Sequence, residues 1–74
     1  MFSMIETGRR INRLRKSNNL TQMELADFMG VTYQAVSCWE RGLTMPDISK
    51  LPDLARVFKV RIDDLFYDSR SKTD

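Results

Sequence analysis

Ala26, Gly30, Val36 and Trp39 stand at the spacing that two short crossing helices need. They belong to residues 22–41, QMELADFMGVTYQAVSCWER. Leu25, Ala26 and Met29 share one face of a first helix by the three-and-four rule. Two helices joined by a short turn meet at a steep angle only where the contact residues are small, and Ala26 meets that need. Gly30 stands where the first helix must stop, because glycine takes the left-handed conformation without steric cost. Thr32 then caps a second helix, which Val36 and Trp39 anchor from below and which runs to Arg41. Gly42 ends it by the same means as Gly30.

The flanking sequence supplies three more helical segments. Ser3 stands three residues before Glu6, a capping box for a first helix whose apolar positions are Met4, Ile5, Ile11 and Leu14. Gly8 lies inside that helix at a cost of about 1 kcal/mol relative to alanine, which a close approach by another helix explains. The helix stops near residues 17–19, and Thr21 with Glu24 makes a second capping box at the start of the central block. Asp47 is expected to cap a fourth helix with Ile48, Leu51, Leu54, Ala55 and Phe58 on one face. Pro52 predicts an irregular first turn there. Residues 62–66 form a short last helix, with Arg61 at a start that lacks a good side-chain cap. No strand pattern or repeat is present. The chain therefore reads as all-α, a compact five-helix domain over residues 1–67 with a polar tail or the start of a linker at 68–74.

Composition excludes several functions. The chain has 74 residues, enough for one domain with a modest core. Its longest apolar runs are too short to span a membrane, and the first residues lack the pattern of a secretory signal. Cys38 is the lone cysteine and histidine is absent, so no zinc ligand set, internal disulfide or Ser-His or Cys-His pair can be assembled. No glycine-rich phosphate loop is present either. We expect no enzymatic activity, no metal and no cofactor. A lone thiol suits a reducing, cytoplasmic setting.

Net charge is only +2, but its distribution is uneven. The first segment holds Arg9, Arg10, Arg13, Arg15 and Lys16 against Glu6 alone. Such a surface attracts a polyanion. On the helix that follows Thr32, positions 34, 37, 38 and 41 form one outward stripe, with Tyr33 beside it. Gln34, Ser37, Cys38 and Arg41 make this stripe polar with one basic end. It carries no carboxylate that would repel phosphate. These groups suit the base edges and phosphates of DNA.

The stretches GRRINRLRKSNNLTQMELADFMGV, TYQAVSCWERG and MPDISKLPDLARVFKVRIDDLF resemble the phage-repressor-like, or Xre-type (Cro/cI-type), helix-turn-helix family. The resemblance covers residues 8–66, where Gln, Ala, Gly, Val and Trp-Glu recur at the family's spacing. It implies a phage-repressor-like DNA-binding domain with the helix-turn-helix at helices two and three. The third helix would then lie in the major groove while the second crosses the backbone. Gln34 would be the main base reader, since glutamine can bond adenine N6 and N7 together. Tyr33, Ser37 and Cys38 match other base-facing positions. Thr21, Gln22, Thr32, Arg41 and Thr44, with the loop amides near Thr44, would meet phosphate, aided at the start of the second helix by free amides and the helix dipole. Arg15 and Glu40 match an ion pair between the first and third helices of relatives. Glu40 is thereby a brace, and Arg15 a brace that also reaches phosphate. Arg9, Arg13 and Lys16 read as a solvated face.

The chain departs from the family at three places. Cys38 replaces a residue that is often polar or basic in relatives, and it reads as space-filling or a thymine-methyl contact rather than a redox switch. Leu43 and Met45 replace basic loop residues and weaken the phosphate grip there. Phe28 falls where many relatives are polar, and is open to solvent or to a partner.

The resemblance implies a sequence-specific regulator of transcription, a repressor more than an activator. It would bind a palindromic double-stranded operator as a homodimer with half-sites about 34–36 Å apart, in the cytoplasm and associated with the nucleoid. Phe66 and Tyr67, with Met45 behind them, are the candidate dimer residues, although core packing is the stronger reading for Phe66. An additional sensor domain or protein partner would fit a chain of this size. The competing class is a protein-interaction module, antitoxin-like, that keeps the fold without specific DNA binding. RNA binding is weaker, because a duplex RNA groove does not admit a helix and no aromatic platform is present.

Overall fold

The computed structural model describes residues 3–67. Four α-helices carry the fold: α1 Met4–Ser17, α2 Gln22–Met29, α3 Tyr33–Glu40 and α4 Leu51–Phe58. Two 3₁₀ turns, Ile48–Lys50 and Ile62–Leu65, flank α4. The fifth helix expected from the sequence is thus the second of these turns. It is closed by the Phe66 amide on the Asp63 carbonyl, and the Asp64 carboxylate accepts the Arg61 N–H at 3.0 Å. Four residues give too few helical hydrogen bonds to offset nucleation of an α-helix.

Local signals set the helix ends. Ser3 Oγ accepts from the Glu6 amide at 3.2 Å. Thr21 and Glu24 form the full capping box, with both reciprocal bonds present. Thr32 Oγ1 accepts from the Ala35 amide at 3.2 Å. Gly30 takes φ 69 and closes α2 on the carbonyls of Ala26 and Asp27. Asp47 caps the first 3₁₀ turn through Ser49 rather than α4 itself, which starts at Leu51 with Pro52 in its opening turn. This is the irregular start that the proline predicts.

The core joins the four helices and the second 3₁₀ turn around Ile11, Leu25, Val36, Leu54 and Leu65, with Met29, Trp39 and Phe58 beside them. Burying one such aliphatic side chain contributes about 1.5–3 kcal/mol. Met4 and Ile5, expected inside, remain exposed, because α1 turns Thr7, Gly8, Ile11 and Arg15 inward instead. Ile48 is likewise 80% exposed, since its 3₁₀ turn is out of phase with the inward face of α4. Phe66 packs half-buried against the core and Tyr67 is exposed. The proposed tail at 68–74 lies outside the described residues. Among the described residues no helix is long and apolar enough to cross a membrane.

Candidate nucleic-acid interface

The orientation of α3 follows from what its inner face touches. Val36 and Trp39 are buried against the core. α1 presses on its C-terminal end at Gly8, where a Cβ would overlap the Trp39 carbonyl oxygen and sit 2.8 Å from that of Glu40. This close approach is the reason for a glycine inside α1. The opposite face is left open. Tyr33, Gln34 and Arg41 are exposed, while Ser37 and Cys38 are half-buried. Arg41 Nη2 lies 3.8 Å from Cys38 Sγ, a loose contact that leaves the guanidinium available.

Glu40 is the only acidic residue of α3, and it points away from this face into the scaffold. Its Oε2 accepts from Arg15 Nε at 2.6 Å. Its Oε1 accepts from Arg15 Nη2 at 3.2 Å, Asn12 Nδ2 at 2.9 Å and Gln22 Nε2 at 3.0 Å. Burial pushes the carboxyl up, but the hydrogen bonds from Arg15, Asn12 and Gln22, with the Arg15 charge, outweigh it and hold Glu40 below its ordinary value. One carboxylate therefore ties α1, the start of α2 and the end of α3 together. The stripe that remains outside carries no negative charge.

The positions expected to meet phosphate fall into three groups. Thr21 and Thr32 sit exposed at the starts of α2 and α3, their oxygens occupied as caps. The amides of Gln22 and Met23, and of Tyr33 and Gln34, precede the first bonds inside their helices and so face outward. The Gln22 side chain is half-buried and held by Glu40 through one amide hydrogen. At the other end, the backbone of residues 42–44 turns inward. Gly42 N–H bonds the Trp39 carbonyl, and those of Leu43 and Thr44 bond the Cys38 carbonyl. Only the exposed side chain of Thr44 is left for a phosphate there, not the loop amides.

Arg15 departs from its double role. Its side chain is 11% exposed, and Nη1 donates to the Leu20 carbonyl at 2.7 Å while the rest of the fork engages Glu40. The geometry gives it the brace. Asn12, in this network, and Lys50, outside it, had no role in the sequence reading. Asn12 could have been found from its spacing, since residues 8, 12 and 15 share the flank of α1 that meets α3. Lys50, whose Nζ donates to the Met29 carbonyl at 3.1 Å and caps the end of α2, had no sequence signal because the contact spans the fold.

The chain matches the helix-turn-helix family model over residues 11–65. It is 36% identical over 61 residues to the HTH-type transcriptional activator BcrR of Enterococcus faecalis, covering 82% of this chain and 30% of BcrR. It is 31% identical over 67 residues to YonR, an uncharacterized HTH-type transcriptional regulator derived from the SPbeta prophage of Bacillus subtilis, covering 90% of this chain and 62% of YonR. The chain thus spans less than two thirds of both relatives. Among solved structures it superposes on the P22 c2 repressor in complex with a synthetic operator, with a TM-score of 0.77 and 33% identity over 81% of this chain and 91% of that one. The capped helices, the left-handed turn at Gly30 and the open face of α3 agree with these matches: the chain belongs to the Xre-type helix-turn-helix family.

Proposed function

We propose that this protein is a sequence-specific double-stranded DNA-binding regulator of transcription that acts as a repressor. The observation that carries the reading is the outward face of α3. It is open, polar and free of carboxylates, because its one acid, Glu40, is bonded into the scaffold. Gln34 reads a base, with Tyr33, Ser37 and Cys38 lining the same groove edge. Thr21, Gln22, Thr32, Arg41 and the Thr44 side chain hold phosphates, and Arg15 positions rather than contacts. Glu40 orients the Gln22 amide, whose second hydrogen stays free for a phosphate oxygen.

The likeness to the P22 c2 repressor supports repression, whereas BcrR, 36% identical over 61 residues, is an activator. The chain works as a homodimer in this reading, because one short recognition helix meets too few base pairs to select a site; a two-fold operator follows. It works in the cytoplasm on the nucleoid, without catalysis. Selection from a pool of random duplexes, followed by affinity against salt, tests the proposal. The expected result is an enriched palindrome and binding that weakens steeply as salt rises. No enrichment at any salt contradicts it.

A further inference from the structure

We propose that the acidic, aromatic outer face of α2 docks onto the arginine-bearing face of α1 in a second copy of this chain. The α2 face is built of Glu24, Asp27 and Phe28, which line one shallow depression, with Met23 alongside. Phe28 is 66% exposed and Met23 63% exposed, an unusual pair of large apolar groups for one short surface helix. α2 contributes no base to this face, so it is negative as well as apolar. Such a face is repelled by phosphate and is suited to protein rather than DNA.

The complement lies on the same chain. Arg9, Arg10 and Arg13 line a groove on α1, with Glu6 as its single acid. Ile5, more than half exposed, precedes Arg9 by one helical turn, and Arg13 follows by another, so the three share a stripe. Among the described residues, Asp27, Arg9 and Arg13 have no ion-pair partner within the chain. Charge and apolarity on the two faces are therefore matched: the carboxylates of Asp27 and of Glu24, which also caps the Thr21 amide, for guanidiniums, and Phe28 for Ile5.

Because the two faces differ, a head-to-tail contact leaves each copy one face free for the next. The contact rests on a few side chains of one helix in each copy, so association is weak in free solution. It strengthens where neighbouring sites on one duplex raise the local concentration, and then gives cooperative occupancy. That last consequence rests on the DNA-binding reading; the contact itself does not.

Two neutralised variants test the contact without DNA. Glu24→Gln with Asp27→Asn removes the acidic half and preserves the cap on Thr21, and Arg9→Gln with Arg13→Gln removes the basic half. Backbone amide NMR spectra are followed at low salt up to millimolar concentration. The wild type is expected to show concentration-dependent shifts on the outer faces of α1 and α2, and each variant alone to lose them by about tenfold in affinity. Mixing the two variants restores a one-to-one complex, with shifts on α1 of the first and α2 of the second. A mixture that behaves as the sum of its parts, or wild-type shifts confined to other surfaces, overturns the proposal. The wild-type series stands even if a variant fails to fold. Failure here with an enriched operator in the selection experiment rejects the contact and leaves the regulator.

Discussion

Arg15 Nε donates to Glu40 Oε2 across 2.6 Å, and this bond fixes the end of α3 to the last turn of α1. Both side chains are nearly buried, at 11% and 5% exposure. Removing one partner of a buried pair leaves the other charge without compensation. Glu40→Ala should therefore cost about 3 kcal/mol in urea unfolding, and the double change Arg15→Met with Glu40→Leu should cost less than that single one. If the double variant is the less stable, the pair stabilises the fold more than its desolvation permits.

The same carboxylate makes stability depend on pH. Glu40 is held below its ordinary value by its hydrogen bonds, so in acid the unfolded chain takes up its proton first. Its contribution is complete above the usual glutamate range, about pH 4.3, and is lost as pH falls through the lower folded value. Thermal unfolding between about pH 2 and 6 should show stability rising with pH in that window, and Glu40→Gln should flatten the rise. An equal rise in the variant would place the dependence elsewhere.

Gly8→Ala separates helix propensity from packing. Propensity alone predicts a gain of about 1 kcal/mol. The added methyl has no room against the Trp39 and Glu40 carbonyls, so α1 must shift from α3 at a cost of about 1–3 kcal/mol. Unfolding measurements should therefore find the variant destabilised, and a stabilised variant would show that the two helices are not in this contact.

Arg41 lies exposed at the basic end of the stripe, and Arg41→Ala should weaken binding to all duplexes alike. The slope of log affinity against log salt should fall by about one phosphate contact. A loss restricted to certain sequences would make Arg41 a base reader instead.

What the sequence made legible was local. Thr21 with Glu24, Gly30 and Thr32 each act within a few residues, and the structure forms the turn and caps that those residue types favour. Pro52 likewise foretold the irregular start of α4. The misplaced residues were decided by tertiary phase. Met4 and Ile5 are apolar enough for a core, yet the docking of Gly8 on α3 rotates them outward. Ile48 is exposed because a 3₁₀ turn has a different period from the helix that follows. At the interface, the pairing of Arg15 with Glu40 was legible by resemblance. The convergence of Asn12 and Gln22 on the same carboxylate was not, since it joins three helices far apart in sequence.

In the proposed complex the open face of α3 reads base pairs through Gln34. The most direct measurement is selection from a random duplex pool with the wild type and with Gln34→Ala in parallel. The wild type should enrich a palindromic site, and the variant should lose preference at one position of each half-site, worth about 1–3 kcal/mol of discrimination. An identical site enriched by both proteins would contradict it.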